Sequence, residues 1–320
     1  GYEKRKEFNI GLLGEFFNKS LTLDVDYFNM RITDKPGRLS NNYPTYQGGF
    51  APYGNNAGTD SYKGLEFSAD YKKQIGDVSV DLGATGMYRT SKVIKRDEFY
   101  SENYMYRAGR PTDAIFGYEA LGLFQSADEI KNSPTQTFGD VKPGDIKYKD
   151  QNGDGIIDAN DQVQIGKSFS PIMFGLNLTL TYKNFSLYAF GNGAFGSDTF
   201  LSGNYWRMDA DDKYSVIALQ RWTEATKETA VYPRLTTKTA ANNNQTSTFW
   251  EYKNNYFNFD KLQLSYKIPQ SICHSMQLSD LSVYISGQNL AVAGTRTDVR
   301  KISTGTPVCR YYLLGFNLTF

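Results

Sequence analysis

Strand-like segments joined by connections of alternating length constrain this 320-residue chain more than any other feature. Apolar residues at every second position mark nine such segments: 8–17, 20–31, 62–72, 78–89, 172–182, a segment from 185 that fades at 191–193, 257–266, 281–290 and 309–320. In the fifth, Phe174, Leu176, Leu178, Leu180 and Tyr182 alternate with Gly175, Asn177, Thr179 and Thr181. In the last, Tyr312, Leu314, Phe316, Leu318 and Phe320 form an apolar face. The connections run short, long, short, long, short, long, modest, long. A soluble sandwich has no reason to sort its loops in this way. A transmembrane barrel does, because its periplasmic turns are short and its outer loops long. With Phe320 at the periplasmic side, every long loop falls outside. Phe16, Phe17, Tyr71, Tyr182, Phe185 and Tyr266 then collect at the periplasmic ends, as an interfacial girdle requires.

Composition agrees. Mean hydropathy is −0.52, yet aromatics make up 15% of the chain, which argues against disorder. No stretch approaches the roughly 20 apolar residues of a membrane helix, whereas alternating barrel strands keep hydropathy low. A formal charge of +1 gives no support for nucleic-acid binding. One histidine, His274, and two cysteines, Cys273 and Cys309, leave no usual zinc set and no convincing catalytic group, so no enzyme is expected. The two cysteines fall at opposite ends of the wall, roughly 25 Å or more apart given the apolar band, and no bridge is expected. The charged start has no apolar export segment, so an exported protein's first residues are expected to lie upstream. An odd strand number leaves free edges, and this predicts the C-terminal portion of a larger barrel.

Within the connection 90–171, the run 150–161 follows a calcium-loop spacing: Asp150, Asn152, Asp154, Ile156 through its carbonyl, Asp158 and Asp161, with Gly155 at the bend. Hard oxygens at this spacing suit Ca²⁺ in a structural role. Position twelve is Asp rather than a bidentate Glu, and an Asn/Gly/Asp turn without metal is the competing reading. Aromatic residues in the outer loops, Tyr43, Tyr46, Tyr53, Tyr104, Trp206, Trp222 and Trp250 among them, can stack on sugar faces, and can equally pack the loops together or against a partner protein.

The segment Pro143-Gly144-Asp145-Ile146-Lys147-Tyr148-Lys149-Asp150, leading into Asn152-Gly153-Asp154-Gly155 and then Ile165-Gly166, resembles the SusC/RagA family of TonB-linked outer-membrane transporters. Gly117-Tyr118, Gly122-Leu123-Phe124-Gln125 and Arg221-Trp222-Thr223 are similar too, as are 259–269 (with Asp260 and Lys261 departing), Gly287-Gln288-Asn289-Leu290 and the terminal Gly-x-Asn-Leu-x-Phe. The resemblance implies an all-β fold, the C-terminal part of a large antiparallel transmembrane β-barrel with about nine of roughly 22 strands. It also implies import of an oligosaccharide, or of a peptide, into a Bacteroidetes-type bacterium. A SusD-like surface lipoprotein would be the partner, and TonB would act through a plug that these residues do not include. Two other readings stay open: a siderophore or cobalamin receptor, and a soluble calcium-dependent glycan-binding β-domain.

Overall fold

The computed structural model describes residues 2–39, 46, 48, 53–208, 210, 212–300 and 308–320; for Tyr53, Asn55 and Asn56 only the backbone is described. Nine strands form one antiparallel sheet: β1 Lys4–Phe16, β2 Leu21–Arg38, β3 Tyr53–Ile75, β4 Val78–Lys95, β5 Ile172–Tyr182, β6 Phe185–Phe195, β7 Tyr256–Lys267, β8 Asp280–Gly294 and β9 Tyr311–Thr319. Each pairs with its neighbours in chain order, so β1 contacts only β2 and β9 only β8. Strictly sequential antiparallel pairing puts the short connections 17–20, 76–77, 183–184 and 268–279 on one rim. The long ones share the other rim.

The register aligns the apolar stripes into one surface. Leu12 faces Val25, Val25 faces Phe67, Phe67 faces Gly86, Gly86 faces Phe174, Phe174 faces Gly193 and Gly193 faces Phe257. Nearer the short turns, Leu180, Leu187, Leu264, Ile285 and Leu314 line up across β5 to β9. No second layer covers this face among the described residues: Leu264 is 45% exposed and Ile285 56%. A water-facing stripe of this extent would be unstable in a soluble protein, since burying each Leu or Phe contributes about 1.5–3 kcal/mol. The opposite face is polar. Asp81 faces Thr179, Thr179 faces Tyr188, Tyr188 faces Gln263 and Gln263 faces Ser286. At the short-turn rim the Phe185 and Tyr266 rings stand 4.7 Å apart, as the girdle predicts.

Five strands reach beyond their expected bounds at the long-loop rim, β1 among them, starting at Lys4 instead of Phe8. β2, β3, β4 and β8 continue well past the apolar alternation at the long-loop rim, shortening the expected loop 32–61 and moving the start of the connection 90–171 to residue 96. The ladder persists there, beyond the reach of a greasy stripe, because other contacts hold it. Asp60, almost fully buried, is ion-paired to Lys35 at 2.7 Å and to Arg96 at 2.6 Å. β6 likewise runs through 191–193 instead of fading. A Cβ on Gly191 would lie 2.4 Å from the Phe257 ring, and one on Gly193 2.5 Å from Phe174. These two glycines make room for a stack in which Phe174 lies 5.6 Å from Phe195 and 6.0 Å from Phe257. The expected irregularity near Asp260 is a register shift between Phe259 and Lys261. Cys273 is buried and Cys309 exposed, and no disulfide joins them.

Candidate functional site

The long connections are not loose. Residues of 96–171 and 196–255 build a separate apolar core from Tyr118, Ile146, Tyr148, Ile157, Met208, Ala218, Tyr232 and Trp250. Strand exchange between the two connections aligns it: the Tyr118 N–H donates to the Thr246 carbonyl at 2.9 Å, and the Thr248 N–H donates to the Tyr118 carbonyl at 3.0 Å. A buried polar network runs through this core. Asp145 pairs with Arg234 at 2.9 Å and accepts from Asn243 Nδ2 at 2.8 Å. Asn243 Oδ1 accepts the Ile146 N–H, while Gln136 accepts the Tyr148 N–H and donates to the Ile146 carbonyl. The Tyr148 hydroxyl donates to the Asn242 carbonyl at 2.7 Å, and burial drives that phenol well above its ordinary range. Every group in such a network needs its partner, because an unpaired one is expensive in a low dielectric. Sequence reasoning missed it: Gln136, Asn242 and Asn243 read as ordinary loop residues, and only Asp145, Ile146 and Tyr148 lay in a noted motif.

This core separates the readings open for the aromatics, and at Trp250 and Trp206 it favours loop packing. Trp250 is 3% exposed, and its Nε1 donates to the Asn243 carbonyl at 2.7 Å. Trp206 is 6% exposed, packed on Tyr205 with Arg296 over its ring. Both are packing residues, because a ring enclosed in its own module has no face left for a solute. Trp222 is half-buried, its ring against Gly144, where a Cβ would lie 2.6 Å away, and its Nε1 donates to Gln125 Oε1. Tyr46 is 85% exposed. Tyr43 and the Tyr53 side chain lie outside the described residues.

The 150–161 loop is a chain of side-chain-to-backbone turns. Asp150 Oδ1 accepts the Gly153 N–H at 2.7 Å and Oδ2 that of Gly155 at 2.9 Å, with both glycines at positive φ. Asn152 Oδ1 accepts from the Asp154 N–H, and Asp154 Oδ1 accepts from the Ile156 N–H at 2.8 Å. Asp158 and Asp161 cap a single 3-10 turn reciprocally, and Asp161 also accepts the Gln151 N–H at 2.7 Å. Tyr104 closes over the loop, donating to the Asn160 carbonyl at 2.8 Å. Its phenol is pushed up to about 12, first by burial and then by Glu102, Asp161, Asp150 and Asp154. The donors are all oxygens, as a hard cation requires. They do not converge: among the described residues no three His, Cys, Asp or Glu side chains gather as a metal shell. Backbone N–H groups take one lone pair of each carboxylate oxygen used, which steadies these charges without an ion and leaves further lone pairs free.

A sheet greasy on one face and polar on the other, with its long connections folded on a single rim, defines a segment of a transmembrane-type β-barrel wall. No protein-family model matches the chain. In sequence it is similar to TonB-dependent receptor P26 of Formosa agariphila, 25% identical over 352 residues that cover 100% of this chain and 35% of the relative. TonB-dependent receptor P3 of the same organism is 24% identical over 308 residues, 90% of this chain and 29% of the relative. In fold it matches the RagAB peptide importer in its open-open state, with a TM-score of 0.75 and 21% identity over 100% of this chain and 35% of that one. The closed-closed state gives 0.74 and 22% identity, covering 99% and 35%. The likeness is thus to TonB-dependent receptors in sequence and to the RagAB importer in fold, in keeping with the resemblance to SusC/RagA-type transporters, and the chain spans about a third of the length of the relatives it matches.

Proposed function

We propose that this chain supplies part of the barrel wall and an extracellular module of a TonB-energised transporter that imports an oligomeric nutrient across the outer membrane. The observation that carries this reading is the single uncovered apolar stripe running across all nine strands. It argues against a soluble glycan-binding domain, and the sequence relatives, named as TonB-dependent receptors, supply the energy source. The solute is an oligosaccharide on the first reading. A short peptide is the second, favoured by the fold match to a peptide importer. A SusD-like lipoprotein would dock on the loop rim and hand the solute in. The protein would bind and pass its cargo without chemical change. Two measurements test this together. The full-length protein should need detergent and migrate faster on gels unheated than heated, and cells without it, or without TonB, should stop accumulating a fluorescent oligomer. Solubility without detergent, or undiminished uptake, would end the reading.

We also propose that Ca²⁺ binds the 150–161 loop, through Asp150, Asn152, Asp154, Asp161 and the Ile156 carbonyl, with Asp158 acting through water. The spacing and the oxygen-only donors support this. Binding requires the carboxylates to turn further inward than they stand. Calcium should slow proteolytic cleavage of 150–161, and Asp154→Ala should abolish that protection. Equal cleavage with and without chelator would remove the ion.

A further inference from the structure

Where β3 and β4 emerge at the long-loop rim, the segments 111–113 and 167–171 lean over them and enclose a cavity of about 200 Å³. Tyr62, Arg89, Ser91, Asp113, Lys167 and Phe169 line it. The cavity sits in the middle of the sheet, flanked by paired strands on both sides. Arg89 follows the outward Tyr88, so alternation turns it to the polar face. Its backbone is fixed by an N–H···O bond to Pro171 at 2.8 Å. Its guanidinium lies over the Phe169 ring, 4.8 Å from the centroid.

The charges do not balance. Asp113 sets one negative charge against the two positive ones of Arg89 and Lys167, its Oδ1 accepting from the Ser91 hydroxyl at 3.2 Å and its Oδ2 from the Phe169 N–H at 2.7 Å, which leaves one positive charge in excess. Asp198, the next carboxylate, accepts the Lys167 backbone N–H and is ion-paired to Lys253. Among the described residues, neither the Arg89 guanidinium nor the Lys167 ammonium has a carboxylate partner. Some cations at this rim are matched, Lys35 and Arg96 to Asp60, Lys253 to Asp198 and Arg234 to Asp145, whereas Arg110 and Arg300, like Arg89, lie over aromatic rings; Arg89 and Lys167 are the two cations that line this cavity. A guanidinium stacked on a ring keeps its N–H edge free, and that planar fork fits a carboxylate or sulfate in two parallel hydrogen bonds.

We propose that this cavity receives an oxyanion group, a carboxylate or a sulfate, carried by the imported oligomer, with Arg89 and Lys167 as its counter-charges and Phe169 holding the guanidinium in place. The volume admits one charged unit of the oligomer, not the whole. The inference rests on the import reading above and adds a selection by charge.

The test uses the full-length protein in detergent, titrated calorimetrically with trigalacturonate, triglutamate and uncharged maltotriose. At least one anion should bind more tightly than maltotriose, and raised salt should narrow that difference. The double variant Arg89→Gln/Lys167→Gln should bind the preferred anion about tenfold more weakly or worse, and maltotriose unchanged. Heat-modifiable gel migration reports whether the variant's barrel is intact, and Phe169→Ala, outside the wall, should weaken anion binding without touching the charges. Which anion wins tells sugar from peptide. The proposal is overturned if neither anion outbinds maltotriose, or if a folded double variant binds both anions as the unaltered protein does. Uptake that continues without any preference for charged oligomers would sink this inference alone, whereas loss of the import reading shows as uptake indifferent to the whole gene.

Discussion

Leu176 on β5 and Ile146 in the loop module are both aliphatic, and each sits at the centre of its region, yet Leu176 is 45% exposed and Ile146 0%. The wall keeps almost none of its apolar side chains from solvent, whereas the module encloses Tyr148, Ile157, Tyr232 and Trp250 within itself. The difference separates two sources of stability. The wall's ladder satisfies its own backbone, and lipid must supply the apolar contact. The module instead carries a core of the kind found in water-soluble proteins, threaded by a buried polar network of Gln136, Asp145, Asn242 and Asn243.

Substitutions can break this contrast, and the largest effect is expected inside the module. Trp250→Ala should remove about 3–5 kcal/mol of module stability, read as faster hydrogen exchange in 114–167 and 196–253 with gel migration of the barrel unchanged. Joint loss of both would show that the regions are one cooperative unit. Leu176→Arg should cost about 2–4 kcal/mol of insertion into lipid vesicles, while leaving hydrogen exchange in the module as it was. Gly191→Val, which drives a side chain into Phe257, should destabilise the wall by about 1–3 kcal/mol through overpacking, measured by denaturant titration in vesicles. The smallest effect belongs to Tyr104→Phe, which loses one hydrogen bond worth about 1 kcal/mol. That variant also tests pH. The Tyr104 phenol is raised to about 12 from an ordinary 10, so its contribution is whole below pH 10 and fades as pH climbs from 10 towards 12. Proteolysis of 150–161 should therefore accelerate over that window in the unaltered protein more than in Tyr104→Phe.

The same contrast explains what the sequence revealed. Wall strands are legible because each alternates independently, so Leu176, Leu178 and Leu180 announce their face without reference to another segment. Asp260 betrays its bulge by interrupting such a run. The strand ends near Lys35, Asp60 and Arg96 stay hidden, since an ion cluster drawn from three places in the chain leaves no periodic trace. Trp206 and Trp250 stayed ambiguous for a related reason: a tryptophan amid Asn and Thr reads equally as a surface contact and as loop packing until the segment that covers it is known. Arg89 and Lys167 are 78 positions apart, and only the fold makes them neighbours.

Tyr118 meets Thr246 and Thr248 across more than a hundred positions, and Arg300 reaches from a third connection to stack on Tyr256. No hairpin holds enough of this core to fold by itself. Its segments come from connections far apart in the chain, so the core closes only where both connections meet. Pairing of β4 with β5 and of β6 with β7 sets the roots of these connections side by side, so a wall that fails to pair would leave the cap's apolar residues without cover.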